Sequence, residues 1–470
     1  MSELTNTRDK LAVNNPFDGQ LLQHVELNTA ADVELALTRA HALFSDRSGW
    51  LPAYQRVEIL ERAAAIMSER VEELTRLAAS EGGKPYSDSK VEVHRAINGL
   101  KLAIEHIPQI KGEQIPMGHT QSSANRLAFT QREPIGVVSS ISAFNHPLNL
   151  IVHQTVPAIA IGAPVIIKPA QTTPLSCLRF VQILKEAGLP DGWCQALVVD
   201  NEHAGPLVSD ERINFFSFIG SAAVGWMLRS RLSPGTRCAL EHGGAAPVIV
   251  DKSARLDSMI DSLLKGGFYH AGQVCVSVQR VYVHESICQK LADSLAAAAA
   301  RLRVGDPMDA DTEVGPLILP KEVNRVADWV EQARQGGAQI LCGGRKLSET
   351  CYAPTVILNP GETANVSQKE IFGPVVCIYS YADKADAIAR ANALPVAFQA
   401  AIYTNDLTDA LDTSNKLNAT AVMVNDHTAF RVDWMPFGGR DESGIGMGGI
   451  QYSMHEMTRE KMLVIKSEVL

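Results

Sequence analysis

Apolar residues recur at helical spacing through residues 30–110, most clearly in Val57-Glu58-Ile59-Leu60-Glu61-Arg62-Ala63-Ala64-Ala65-Ile66-Met67, and this segment reads as helices. From about Glu133 the texture changes. Ile135-Gly136-Val137-Val138-Ser139-Ser140-Ile141 is a buried-strand run, residues 151–161 make an apolar helix, and Ala163-Pro164-Val165-Ile166-Ile167-Lys168 is a second strand ended by Pro169. A helix over 176–187, a Gly-Leu-Pro turn and a strand over 193–199 follow. Phe215-Phe216-Ser217-Phe218-Ile219 is the next strand, and Gly220-Ser221-Ala222-Ala223-Val224-Gly225 opens the helix after it. Strand, helix and strand in repetition predict a parallel, doubly wound α/β sheet. Such sheets bind dinucleotides beyond the carboxyl ends of their strands.

After Glu241 the alternation restarts with a strand over 247–250, a helix over 256–266, a strand over 280–284 and an alanine-rich helix reaching Arg301. That predicts a second α/β domain. Val304-Gly305-Asp306-Pro307 and Val314-Gly315-Pro316-Leu317 read as turns, residues 321–335 as a helix, and the stretch from there to Pro360 as Gly-rich loops. Residues 117–134 and 452–470 alternate like strands but have no obvious home in either domain; the alternation alone fits an edge hairpin of one subunit.

Composition narrows the classes. With 470 residues the chain is long enough for two or three domains, and 46% hydrophobic against 20% charged residues is the balance of an ordinary globular protein. A net charge of −9 and the lack of any Lys/Arg-rich run argue against a nucleic-acid surface, so an anionic ligand must be met by individually placed groups. Residues 1–15 are polar, without the apolar core of a signal peptide, and no long apolar run suggests a membrane span. A cytoplasmic protein is expected. The eight cysteines (Cys177, Cys194, Cys238, Cys275, Cys288, Cys342, Cys351, Cys377) lack CxxC or CxxH spacing, which speaks against a disulfide scaffold and against a metal site. That spacing also disfavours a metal-dependent alcohol dehydrogenase.

Four stretches could carry chemistry. His270-Ala271-Gly272-Gln273-Val274-Cys275-Val276 puts a sulfur where a turn gives way to regular structure; Glu241-His242-Gly243-Gly244 precedes Cys275 by 34 residues; Lys168-Pro169 ends a buried strand; and Phe144-Asn145-His146-Pro147 follows another. Taken singly, each has a plain structural explanation: a core thiol, a solvated loop carboxylate, a strand end, a cap. Gly220 and Gly225 are likewise a weak phosphate-loop signal, since neither the P-loop nor the GxGxxG pattern is present. Taken together and in this order, the stretches resemble the aldehyde dehydrogenase superfamily, as do Glu370-Ile371-Phe372-Gly373-Pro374 and Pro436-Phe437-Gly438-Gly439, so the resemblance runs along essentially the whole chain.

The resemblance implies a Rossmann-like cofactor-binding domain in residues 1–116 and 135–243, an α/β catalytic domain in 244–440, and an oligomerisation hairpin and tail in 117–134 and 452–470 of a homodimer or homotetramer. It implies Cys275 as nucleophile, Asn145 and the Cys275 N–H as oxyanion donors, and Glu241 as the base that activates water against a thioester. For the cofactor it implies Lys168 on the adenosine ribose, Gly220, Ser221 and Gly225 at the pyrophosphate, Glu370 on the nicotinamide ribose and Phe372 near the ring; Phe144 stands where many relatives carry Trp. Gln171 departs from the glutamate usual in NAD-preferring relatives, so NAD with NADP tolerated is expected. His146, His153, Val274 and Val276 fall at tunnel-lining positions, and Arg431 in the loop before Pro436 adds positive charge. A short polar or anionic aldehyde is therefore expected: lactaldehyde, 3-sulfolactaldehyde or a semialdehyde of the succinate type, with phosphonoacetaldehyde demoted because Val274 is not the arginine of phosphonate-specific relatives. Coenzyme A-acylating relatives generally lack the glutamate that Glu241 supplies. A catalytically silent structural paralogue would not need Asn145, Glu241 and Cys275 together.

Overall fold

In the computed structural model, which describes residues 8–470, two α/β sheets face each other across a cleft; residues 1–7 of the 1–116 segment lie outside the described residues. The first sheet has six strands in the spatial order Gly444–Ile445, Arg237–Glu241, Ile213–Ile219, Val137–Ile141, Val165–Lys168, Cys194–Ala196. All neighbouring pairs are parallel except Gly444–Ile445, which returns antiparallel against Arg237–Glu241. The chain runs outward from Val137–Ile141 in one direction and then resumes on its other side at Ile213–Ile219. The strand order reverses there, and a crevice opens beyond the carboxyl ends. Register fixes what stands at its rim: Ile141 pairs with Lys168 and Phe218, and Ile219 pairs with Glu241.

The connection from Val137–Ile141 to Val165–Lys168 is the helix Asn149–Ile161, whose residues are all buried. Such a helix has no polar face because it packs between the sheet and the helices Ala53–Glu69, Tyr86–His106 and Ile450–Glu456. The second sheet has seven strands, in the order Gln339–Cys342, Thr355–Leu358, Val375–Tyr381, Arg280–His284, Pro247–Val250, Gln399–Tyr403, Ala421–Val424. Its central strands are apolar on both faces, as a sheet covered by helices on each side requires.

Three local expectations are corrected. The stretch expected as Gly-rich loop up to Pro360 contains Gln339–Cys342 and Thr355–Leu358, a short antiparallel pair at the sheet edge, the first of them flanked by Gly336-Gly337 and Gly343-Gly344. The strand expected over 193–199 is only Cys194–Ala196, since an outermost strand needs little length to complete the sheet. In the 452–470 segment the first residues finish the helix Ile450–Glu456, and the strand is Thr458–Lys466. That strand pairs antiparallel with Arg126–Pro134, which in turn pairs with Gln114–Ile115 in a separate three-stranded sheet.

Candidate active site

The cleft between the sheets, about 520 Å³ in volume, lies beyond the carboxyl ends of the first sheet and beside the amino ends of the second. The first sheet supplies Phe144, Asn145 and His146 after Val137–Ile141, Gly220 and Ser221 after Ile213–Ile219, and Glu241 at the end of its own strand. The second supplies Val274, Cys275 and Val276 ahead of Arg280–His284, and Glu370 and Phe372 ahead of Val375–Tyr381. Arg431 enters from the loop after Ala421–Val424. Residues separated by most of the chain length therefore share one wall.

The nucleophile loop is held in an unusual conformation. His270, Ala271 and Gly272 have successive positive φ of 50°, 53° and 70°. Left-handed backbone at two residues with side chains is costly and persists only where the surroundings hold it. Here Gln273, which is buried, does much of the holding: its side-chain amide donates to the carbonyls of His270 and Pro316 and accepts from the Ile318 N–H at 3.0 Å. Its own carbonyl accepts from the Asn145 Nδ2 at 2.9 Å. That bond couples the Asn145 amide to the loop that carries Cys275.

Asn145 is fixed from behind as well. Lys84 and Glu92, both with fully buried side chains, form an ion pair; Lys84 Nζ also donates to the Asn145 carbonyl at 3.5 Å. Glu92 Oε1 accepts the N–H groups of Leu148 and Asn149 at 2.9 and 3.0 Å, where the helix Asn149–Ile161 begins.

Charge in the cleft is dominated by burial. Burial pushes the Cys275 thiol well above its ordinary range, the Glu241 and Glu370 carboxylates push it further, and Arg431 opposes. Burial raises the Glu241 carboxyl, with Arg431 again opposing. Burial likewise lifts Glu370 to about 8 against the hydrogen bond from the Gly244 N–H, and its Oε1 is buried without a partner. His146, desolvated and near Lys84, is held well below the ordinary histidine range, and its Nε2 lies 3.4 Å from the Tyr269 hydroxyl.

Arg431 packs its guanidinium 3.6 Å from the centroid of the Phe437 ring, and its Nε is buried with no hydrogen-bond partner. Its Nη2 lies 3.5 Å from His153 Nδ1. His153 does not sit on the main cleft wall: it is buried behind Arg431, beside a second cavity of about 40 Å³, with its Nε2 2.8 Å from Asp433. Asp433 is also gripped by Arg95 through two bonds of 2.7 and 3.1 Å. Arg95, Gln273 and Asp433 were not singled out from the sequence. The available signal was in the helix Tyr86–His106, where Asp88, Glu92 and Arg95 interrupt an otherwise apolar face at helical spacing.

Lys168, Gln171 and Gly225 do not line the cleft itself, although Ala170 does. Lys168 is buried at its strand end, and desolvation pulls its ammonium pKa down. Gly220 and Gly225 stand at the turn and helix start after Ile213–Ile219; a Cβ on Gly220 would lie 2.6 Å from the Phe218 ring, and one on Gly225 would lie 1.9 Å from the His242 ring. A nicotinamide dinucleotide suits this wall: the Gly220-Ser221 turn ahead of the helix Ala222–Arg229 for the pyrophosphate, the unpartnered Oε1 of the buried Glu370 carboxyl for a ribose hydroxyl, and aromatic rings at Phe144 and Phe372, 5.9 Å apart edge to face, beside it. Among the described residues no group of three or more His, Cys, Asp or Glu could hold a metal ion.

Comparison with known proteins identifies the family. A sequence profile described as "Aldehyde dehydrogenase family" matches residues 4–463. The chain is 37% identical over 464 residues to a 3-sulfolactaldehyde dehydrogenase of Priestia aryabhattai, covering 98% of this chain and 96% of that protein. Among solved structures it superposes with a TM-score of 0.95 on aldehyde dehydrogenase 21 from Physcomitrella patens in complex with the reaction product succinate, at 36% identity over 98% of this chain and 96% of that one. It superposes with a TM-score of 0.93 on the glyceraldehyde-3-phosphate dehydrogenase GapN from Methanocaldococcus jannaschii complexed with NADP, at 34% identity over 98% of this chain and all (100%) of the other.

Proposed function

The chain belongs to the aldehyde dehydrogenase family and is an NAD(P)-dependent aldehyde dehydrogenase, and from that premise we propose that it oxidises a short aldehyde bearing a carboxylate or sulfonate to the corresponding acid. The observation that carries the anionic part is Arg431: a half-buried side chain whose Nε is buried without a partner, in the same cleft as Cys275 and Glu241. Glu241 and Asp433 offset part of its charge, but a buried guanidinium donor without an acceptor is costly to leave alone and favours a ligand that brings a negatively charged acceptor. The sulfonate of the Priestia relative's substrate and the succinate in the Physcomitrella structure have the chemistry that such a group accepts.

The Cys275 thiol releases its proton to solvent, and Glu241, whose raised carboxyl suits a base working near neutral pH, is kept for the later attack of water. The Cys275 sulfur then bonds to the carbonyl carbon, and the former carbonyl oxygen takes the negative charge. Asn145 Nδ2 and the Cys275 N–H are its donors, each worth on the order of 3 kcal/mol in the barrier. NAD(P) would supply the hydride acceptor; Gly220, Ser221, Glu370, Phe144 and Phe372 would hold it from the cleft wall, and Lys168, Gln171 and Gly225 would meet its adenosine and phosphate end beyond that wall. Loss of hydride leaves a thioester on Cys275. Glu241 removes a proton from water as it attacks the thioester carbon; the carbon–sulfur bond breaks and the acid leaves. His146, Val274 and Val276 shape the tunnel around the aldehyde.

The proposed division of labour puts cofactor binding in 1–116 and 135–243, chemistry in 244–440, and subunit pairing in 117–134 and 452–470. For the last, the support is that Thr458–Lys466 is an edge strand exposing Met462, Leu463, Val464 and Ile465, the kind of edge that soluble proteins cover by pairing. A homodimer or homotetramer and a cytoplasmic site of action go with this function; among the described residues no helix is long and apolar enough to cross a membrane. The test is a panel of 3-sulfolactaldehyde, succinic semialdehyde, lactaldehyde and butanal with NAD and with NADP, following reduced cofactor and identifying the product. The expected result is a free acid and a higher kcat/KM for the two anionic aldehydes. Equal or higher kcat/KM for butanal would overturn the anionic assignment, and a requirement for added coenzyme A would overturn hydrolysis.

A further inference from the structure

Behind the cleft, four side chains from three separate segments form one chain of contacts. Arg95, on the helix Tyr86–His106, grips both oxygens of Asp433; Asp433 Oδ1 also takes His153 Nε2 at 2.8 Å and lies 3.4 Å from the Asn149 amide nitrogen; His153 Nδ1 faces Arg431 Nη2 at 3.5 Å. The His153 and Asp433 side chains are only 5% and 2% exposed, so both contacts are shielded from bulk water. Their protonation follows from the surroundings. Burial pushes the His153 imidazole down to about 4, and although burial pushes Asp433 up, His153 and Arg95 hold its carboxyl below the ordinary range.

A neutral histidine facing a carboxylate must place its proton on the nitrogen that faces it. Nε2 therefore donates to Asp433, and Nδ1 is left with a lone pair. Arginine has donors only, so that lone pair is something the Arg431 guanidinium can use. The contact matters because Arg431 has an alternative: it also borders the second cavity of about 40 Å³, large enough for a water molecule, and its Nε is unpartnered. A side chain with room on two sides points at the substrate only if something fixes it.

We propose that His153 and Asp433 are positioning residues for substrate selection, acting through Arg431: Asp433, clamped by Arg95, sets the His153 tautomer, and His153 Nδ1 turns the Arg431 guanidinium toward the anionic end of the aldehyde. This rests on the anionic-substrate function proposed above and adds the device that enforces it. His153 thus acts one shell further out than a tunnel-lining position implies.

The test compares succinic semialdehyde with butanal for the wild type, His153→Leu, His153→Asn, Asp433→Asn and Arg431→Leu, each reported as kcat and KM. His153→Leu removes the acceptor and is expected to raise KM for succinic semialdehyde roughly tenfold, the loss expected for one hydrogen bond to a charged group, with kcat and both constants for butanal unchanged. His153→Asn, whose amide oxygen falls near the Nδ1 position, should recover most of that loss. Asp433→Asn should behave like His153→Leu. If Arg431→Leu erases the preference for succinic semialdehyde while His153→Leu and Asp433→Asn leave it intact, the relay is refuted and the anionic function stands. If Arg431→Leu leaves the preference unchanged, the anionic function itself is refuted. Equal losses for both aldehydes, or no recovery in His153→Asn, would reduce His153 to a packing residue and overturn the proposal.

Discussion

Replacing Lys84 by Met tests how the oxyanion side of the cleft is held. The wild-type pair is wholly buried: Glu92 Oε2 meets Lys84 Nζ, Glu92 Oε1 accepts the N–H groups of Leu148 and Asn149, and Lys84 also donates to the Asn145 carbonyl. Burial pulls the Lys84 ammonium pKa down and Glu92 opposes it. Removing one partner of such a pair leaves a buried carboxylate with hydrogen bonds but without its directly paired cation, a loss of about 3–5 kcal/mol. Lys84→Met should therefore lower the denaturation midpoint sharply. In the double variant Lys84→Met with Glu92→Gln, the Gln oxygen keeps the two backbone bonds and no charge is buried. That variant should regain at least about 2 kcal/mol, a coupling well outside the additivity expected of independent sites. Because Glu92 anchors the turn that carries Asn145, the single variant should also lose kcat, by roughly a hundredfold if the amide shifts by about 1 Å. Denaturant titration and steady-state kinetics on the wild type, the two single variants and the double complete the cycle. Additive losses, or a Lys84→Met protein with wild-type stability and kcat, would refute the reasoning.

Gly272→Ala should lower both stability and kcat: φ is +70°, worth about 1–2 kcal/mol against a residue with a side chain, and the new Cβ would lie 2.1 Å from the Gly373 carbonyl oxygen; an unchanged melting temperature would contradict this. In the unliganded protein, the buried Glu370 carboxyl keeps its proton up to about 8 whereas the unfolded chain loses it near 4.5. The fold binds more protons in that window, so this group's contribution to stability falls as pH rises through it and levels off above. Glu370→Gln should flatten that part of the midpoint-against-pH curve, and a curve identical to wild type would contradict the assignment. Gln171→Glu should raise the NAD-to-NADP ratio of kcat/KM, since a carboxylate about 4 Å from a 2′-phosphate repels it by roughly 4 kcal/mol at an effective dielectric of 20; an unchanged ratio would place residue 171 away from the ribose.

Strands buried on both faces were legible in the sequence because a short β-branched, apolar run has few other fates: 247–250 and 280–284 fall where the pattern puts them. Gln339–Cys342 was not, since a short edge strand between glycines looks locally like a loop. Within the cleft, Asn145 follows and Cys275 precedes a legible strand, whereas Glu241 ends the strand Arg237–Glu241, which the pattern did not mark; the sheet topology brings the three together. The network behind them is different. Arg95 and Asp433 are 338 positions apart and meet through the packing of a helix from the first half against a loop near the end, which no local pattern encodes. His153 shows the same limit: the family resemblance put it at a tunnel-lining position, but which side of Arg431 it occupies depends on Asp433.

The most direct test of the central claim, that Cys275 captures the aldehyde carbon and Glu241 then drives hydrolysis, is a single-turnover trap. Glu241→Gln is mixed with succinic semialdehyde and the oxidised cofactor, quenched in acid, digested and weighed by mass spectrometry. The expected result is a succinyl group on the peptide carrying Cys275, formed together with reduced cofactor and absent when Cys275 is also replaced by Ala. Reduced cofactor without any acyl group on that peptide, or with the acyl group on another residue, would contradict the mechanism.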